Sequence, residues 1–308
     1  MAGPLLYLAK GKRSENMAKV LIIGAGPAGV SAALYAKRGG AEVTVISGGV
    51  ELSGLWRVEK IENYYGFAEG ISGAELYAKG IDGARGLGVE FVTEELLDLG
   101  YNDDFTGFKA VTKARTITAD SVIVATGAAR QTLQVPGLQE FTGKGVSYCA
   151  ICDAFFYRGK NVGVIGAGEY ALHEAQTLLP HAAQVVLLTN GEQPAVTPPP
   201  EMTVYAGKIT ALQGTERLSR VEFADGSSLP LDGVFVALGT AGSTAIAKKL
   251  GVQLAGSNIK VDEHMATNVP GLFAAGDCTG GLLQIAKAVY QGAEAGLAAV
   301  RYLRGKKK

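Results

Sequence analysis

The chain has 308 residues and is 47% hydrophobic, enough to build two domains with their own cores and too apolar for a disordered chain. Lysine plus arginine equals aspartate plus glutamate, so the net charge is zero and offers no bulk attraction to nucleic acid or an anionic membrane. No apolar run reaches the length of a membrane span, and three cysteines are too few for a secreted disulfide scaffold.

Residues 1–16 precede a second methionine, Met17, and read as a loose extension or an upstream start. The apolar stretch at residues 5–9 is too short for a signal-peptide core, so a cytoplasmic protein is expected. Lys19–Ile23 then reads as a buried strand, followed by Gly24-Ala25-Gly26-Pro27-Ala28-Gly29, a helix through about Arg38 and a second strand over Glu42–Ser47. Residues 121–127 form another apolar strand ending in a glycine turn. Asn161–Ile165, then Gly166-Ala167-Gly168-Glu169-Tyr170-Ala171, a helix to about Leu179 and a strand over residues 184–189 repeat the first pattern. Residues 233–239 form a related strand and turn. Residues 271–277 form another, ahead of a long amphipathic helix to about Leu303 and a solvated basic tail. Two βαβ starts predict an α/β protein of two Rossmann-like domains, the second inserted in the first. The expected boundaries enclose residues 1–130 plus 241–308 around an inner domain at 131–240.

The first glycine motif, Gly24-x-Gly26-x-x-Gly29, stands between a strand and a helix, where a dinucleotide fingerprint belongs. Its first glycine makes the tight turn, the second lets backbone amides approach a pyrophosphate, and the third allows close helix–strand packing. The distant Ala125-Thr126-Gly127 and Gly276-Asp277 segments complete the setting. Asp277 is a candidate hydrogen-bond partner of the cofactor or a cap for the helix that follows. Cys149-Ala150-Ile151-Cys152 is either a redox pair or half of a metal site. A structural zinc needs four ligands, and Cys278, His173, His181 and His264 are not paired at ligand spacing, which favours redox use. A dithiol needs a two-electron donor, which a flavin can be. Asp153 beside it is a candidate proton shuttle or a helix-cap carboxylate. Cysteines at a helix start also have a lowered thiol pKa.

With Ile61-Glu62-Asn63-Tyr64-Tyr65-Gly66-Phe67, Cys149-Ala150-Ile151-Cys152-Asp153-Ala154-Phe155-Phe156 and the run from Thr267 to Asp277, these motifs resemble the low-molecular-weight thioredoxin reductases over nearly the whole chain from about Ala18. The resemblance implies an FAD-binding domain and a smaller domain carrying the redox cysteines. It implies that the chain reduces a thioredoxin-like protein as a homodimer. Cofactor contacts are implied for Gly24, Gly26, Pro27, Ala28, Gly29, Ser47, Gly54, Asn63, Ala125, Thr126, Gly127, Gly276, Asp277, Gln284 and Ile285. Cys152 would face the flavin, Cys149 would attack the substrate disulfide and Asp153 would act as acid and base. A rotation of the small domain is implied, with hinges near Arg130 and Gly239.

The chain departs from that family where NADPH is held. The usual arginine cluster is replaced by Leu188-Thr189-Asn190-Gly191-Glu192-Gln193-Pro194-Ala195, which has no positive charge, and Glu192 would repel a phosphate. Pro194 and Pro198-Pro199-Pro200 leave no room for a crossover helix, and Glu169 and Tyr170 stand where a pyrophosphate needs open backbone. In this the chain is similar to the ferredoxin-linked flavin thioredoxin reductases, so reduced ferredoxin is the expected electron donor. Lys109, Lys113 and Arg115 are candidates for its dock or an ordinary solvated strand face. Two other readings fit the same residues. One keeps NAD(P)H, or another carrier such as a deazaflavin, as donor; the other is a flavin-binding redox sensor that does not turn over. Further departures are Leu52-Ser53-Gly54-Leu55 and the pair Gln284-Ile285. Trp56 is expected to be a core or interface aromatic, and Cys278 a buried inert thiol.

Overall fold

The computed structural model describes residues 17–50, 53–127, 133–195, 197–238, 243–256 and 258–306. Residues 1–16, Leu52, both expected boundaries and both expected hinges lie outside them. The first part of the chain forms β1 (Lys19–Ile23), α1 (Pro27–Arg38), β2 (Glu42–Ser47), α2 (Gly73–Gly86) and β3 (Glu90–Thr93). It continues through β4 (Leu96–Tyr101), β5 (Phe108–Thr112), β6 (Thr116–Ala119) and β7 (Ser121–Val124). The middle part forms β8 (Val146–Ser147), α3 (Ala150–Asp153), β9 (Asn161–Ile165), α4 (Glu169–Leu178) and β10 (Gln184–Leu188). It ends with β11 (Thr203–Tyr205), β12 (Ile209–Gly214), β13 (Leu218–Phe223), β14 (Ser228–Pro230) and β15 (Gly233–Val236). The chain then returns as α5 (Ser243–Lys249), β16 (Leu254–Ala255), β17 (Asn258–Ile259), β18 (Leu272–Ala274) and α6 (Ile285–Lys306).

Two five-stranded parallel sheets result, ordered β18-β7-β1-β2-β3 and β11-β10-β9-β15-β8. Strands such as β1 and β9 are apolar from their second residue onward, as strands covered on both faces must be. In each sheet the glycine motif follows the central strand, where the strand order reverses, and that switch point is where open α/β sheets bind ligands. Each sheet also carries an antiparallel three-stranded excursion, β4-β5-β6 and β12-β13-β14. They differ at one crossover. Helix α2 carries the chain from β2 to β3, but among the described residues no helix joins β10 to β11, as the prolines predict.

Helix α1 starts with Pro27 at its first turn and ends with Lys37 and Arg38, both favourable for a helix. Helix α6 lies against it closely enough that a Cβ on Gly292 would meet the Ala28 carbonyl oxygen at 2.1 Å. That crossing fixes α1, and with it the glycine turn, against the sheet. One buried cluster joins both halves, from Leu21 and Val122 of the first sheet to Ala150, Val164 and Tyr170 of the second. Among the described residues no helix is long and apolar enough to cross a membrane.

Candidate functional site

The carboxyl ends of the two sheets open onto a cavity of about 2170 Å³, larger than the roughly 300–1,000 Å³ of an ordinary small-molecule pocket. Its walls include Gly24, Gly26, Pro27, Ala28, Ser47, Gly54, Asn63, Ala125, Thr126, Gly127, Gly276, Asp277, Gln284 and Ile285. Three segments far apart in sequence thus converge because their strands β1, β7 and β18 are neighbours in one parallel sheet.

The turn after β1 needs its glycines for different reasons. Gly24 has φ +107°, and a Cβ on it would lie 2.3 Å from the Ala125 carbonyl oxygen. Gly29 does not line the cavity; a Cβ there would lie 1.8 Å from the Gly24 carbonyl oxygen, so it serves helix–strand contact. Gly26 is different: a methyl there would meet no protein atom within 4 Å, so its missing side chain leaves open space over a helix N-terminus. The Thr126 hydroxyl is buried at the same cavity with no hydrogen-bond partner among the described residues, a cost that a polar ligand atom would remove. Asn63 Nδ2 donates to Gln284 Oε1 at 3.1 Å, tying two wall segments together. Asp277 is half-buried and caps nothing on α6, which begins eight residues later at Ile285. An open amide-rich turn, an orphaned buried hydroxyl and a half-buried carboxylate on one cavity fit the pyrophosphate and polar groups of FAD.

The cysteines hang from the carboxyl end of β8, the edge strand of the second sheet. Cys149 and Cys152 form a disulfide with Cα atoms 5.4 Å apart, and Tyr148 beside them lines the cavity. Cys149 is the N-cap of α3, and the Cys152 amide donates to its sulfur at 3.3 Å, a contact that favours a thiolate there. Cys149 is buried (6% exposed), whereas Cys152 is exposed, as are Ile151, Phe155 and Phe156 around it. Asp153 does not cap a helix with its side chain. Its Oδ2 accepts from Ser147 Oγ at 2.7 Å, and that oxygen in turn accepts from the Cys149 amide at 3.1 Å. Ser147 thus holds the carboxylate against the dithiol. The pattern of the sequence contained no sign of Ser147's part, because it depends on a side chain folding back across the turn.

Glu174 was also missed. It is buried on α4, and its Oε2 accepts from the Ala150 amide at 2.6 Å at the start of α3. Burial raises its pKa, and the amide works against that rise. Burial likewise pushes the Tyr170 phenol up, with the Glu174 charge adding to it. Glu95, on the cavity wall, is raised to about 7 by burial and by the charge of Glu169.

The second lobe of the cavity is walled by Ala167, Gly168, Tyr170, Glu192 and Gln193. No lysine, arginine or histidine of residues 133–238 lines it among the described residues. Asn190 is committed to the fold, its Oδ1 accepting from the Ile209 amide at 2.8 Å. The candidate dock residues are each neutralised: Lys109 pairs with Asp103 at 3.2 Å, Lys113 with Glu169 at 2.5 Å and Arg115 with Glu94 at 2.7 Å. All three cations remain largely exposed in these pairs, as on the ordinary solvated strand face that was the other reading of these residues. Trp56 packs edge-on against Tyr77, with ring centroids 5.9 Å apart. Cys278 is 1% exposed, and burial pushes its thiol up to about 12, as expected of an inert thiol. No group of metal ligands is found among the described residues.

Residues 18–292 match the family described as pyridine nucleotide-disulphide oxidoreductase. The chain is 33% identical to the thioredoxin reductase of Listeria innocua over 306 residues, covering 94% of this chain and 95% of that protein. Among solved structures it is similar to an atypical thioredoxin reductase from Desulfovibrio vulgaris Hildenborough, with 39% identity, TM-score 0.88 and coverage of 94% and 99%. It is also similar to a ferredoxin-flavin thioredoxin reductase from Clostridium acetobutylicum, with 32% identity, TM-score 0.73 and coverage of 94% and 100%.

Proposed function

The chain belongs to the pyridine nucleotide-disulphide oxidoreductase family and has thioredoxin reductase function; we propose that reduced ferredoxin, and not NADPH, supplies its electrons. FAD is the cofactor, and when bound it can take up electrons singly and pass on two. The observation that carries the choice of donor is the second lobe of the cavity, where the described residues of 133–238 place no lysine, arginine or histidine. A 2′-phosphate dianion is held by guanidinium or ammonium groups, and the described residues of 133–238 bring none to that lobe, while Glu192 adds repulsion. The similarity to a ferredoxin-flavin enzyme supports the same reading.

In this proposal the turn at Gly24, Gly26, Pro27 and Ala28 receives the pyrophosphate, with Gly29 packing α1 behind it. Ser47, Gly54, Asn63, Ala125, Thr126, Gly127, Gly276, Asp277, Gln284 and Ile285 complete the FAD site. Cys152, the more open sulfur, faces the cofactor. Cys149 attacks the thioredoxin disulfide, and Asp153, held by Ser147, moves the proton. Because Cys149 is buried in this arrangement, its attack on a protein requires the middle domain to turn. The working form is a cytoplasmic homodimer.

Anaerobic stopped-flow mixing of the purified flavoprotein with each donor tests the proposal. Reduced ferredoxin is expected to bleach the flavin rapidly, and NADPH and NADH to leave it oxidised over the same period. Rapid bleaching by NADPH sinks the ferredoxin reading and returns the protein to nicotinamide-dependent chemistry.

A further inference from the structure

A cation from outside the second sheet reaches the residue next to the dithiol. Lys248 lies on α5, in the returning part of the chain, and its Nζ stands 3.8 Å from the centroid of the Tyr148 ring. Tyr148 directly precedes Cys149. Burial lowers the Lys248 pKa and the charge of Asp153 raises it, so the ammonium and that carboxylate feel each other. The neighbouring Lys249 is engaged by Asp98 on β4.

The charged and titratable groups around the two cysteines come from several elements. Asp153 lies on their own helix, and Glu174 comes from α4. Tyr157 stands in the turn after α3, with Arg217 and Asp232 close enough to affect it. Lys248 arrives from α5. Asp153 and Glu174 both oppose negative charge on a sulfur, and Lys248 favours it.

We propose that Lys248 is a positioning residue for the dithiol reaction, its ammonium held on the Tyr148 ring as the counter-charge for the thiolate formed when the Cys149–Cys152 bond breaks. In that step the disulfide takes two electrons from the reduced flavin and one proton passed from water through Asp153. The S–S bond breaks, leaving one thiol and one thiolate, so one new negative charge stands beside Asp153 and Glu174. An ammonium fixed by cation–π contact offsets it without the entropy cost of ordering a free lysine. The inference rests on the dithiol reading given above.

The test uses the full-length, FAD-loaded protein, reduced and kept anaerobic. Iodoacetamide alkylation of Cys149 and Cys152 is followed by mass spectrometry from pH 5 to pH 10, values chosen to bracket an ordinary thiol at about 8.5. In the native protein one cysteine is expected to react with a midpoint below that value. Lys248→Met keeps the aliphatic stem on Tyr148 and removes the charge. It is expected to raise the midpoint and to lower the thiolate fraction below it by about three- to tenfold, equivalent to roughly half to one pKa unit. Lys248→Arg is expected to keep the native midpoint. If Lys248→Met titrates like the native protein, the proposal is overturned, even if that variant melts earlier or turns over more slowly. If the native protein itself shows no depressed midpoint, the dithiol reading fails and this proposal with it.

Discussion

Replacing Gly26 with alanine separates a cofactor cradle from a packing glycine. Gly26 has φ −73° and ψ −176°, which alanine adopts without strain, and a methyl there meets no protein atom within 4 Å. The apoprotein should therefore lose only the cap preference of glycine over alanine, about 0.5–1 kcal/mol. FAD is affected differently, because the methyl stands in the space that lets phosphate oxygens approach the amides at the start of α1. Losing one charge-assisted hydrogen bond there costs about 1.5–3 kcal/mol, roughly a 10- to 100-fold weaker affinity. Gly29→Ala is the contrasting variant. Its methyl would lie 1.8 Å from the Gly24 carbonyl oxygen, so α1 must shift from β1 and the apoprotein itself should lose more than about 2 kcal/mol. Titration of each apoprotein with FAD, followed by flavin fluorescence, and thermal melting without FAD distinguish the two. Native FAD affinity in Gly26→Ala would refute the assignment of this turn to the cofactor.

Two further outcomes follow from buried acids. Glu95 is raised from 4.5 to about 7 in the folded chain, so the stability tied to its neutral form is complete below pH 4.5 and is lost as pH rises through about 7. The shift corresponds to at most about 3.4 kcal/mol, and partial exposure of Glu95 to solvent reduces that to roughly 1–2 kcal/mol. Glu95→Gln should therefore stabilise the protein by that amount at pH 8 and not at pH 4.5 in urea unfolding; an equal effect at both pH values would contradict it. Cys278, pushed up to about 12 from 9.0 by burial, should resist alkylation in the oxidised native protein at pH 8 and react only after unfolding. Label on native Cys278 within minutes would show that its burial is wrong.

The strands were legible because a strand covered on both faces needs an unbroken apolar run, and Lys19–Ile23 and Asn161–Ile165 both show one. The glycine turns were legible because only glycine tolerates the backbone required at Gly24. Boundaries were less sharp. The strand expected over residues 184–189 ends at Leu188, and the helix expected to reach Leu179 ends at Leu178. The proline-rich stretch after β10 signalled that no crossover helix follows, and none is found there among the described residues, because proline removes a donor and clashes inside a helix.

Local chemistry, then, was written in the chain itself: the dithiol spacing, the glycine turns, the α/β alternation and the lack of positive charge over residues 188–195 are read from short stretches of sequence. The partners of that dithiol were not. Ser147 meets Asp153 because a side chain folds back across one turn, whereas Glu174 under the Ala150 amide, Lys248 on Tyr148 and the orphaned Thr126 hydroxyl follow from which strands become neighbours and which helices cross. Only the packed structure decides those meetings. Lys248 is brought to Tyr148 by a chain that leaves one sheet, builds another and returns, and no periodicity in the sequence records that distance.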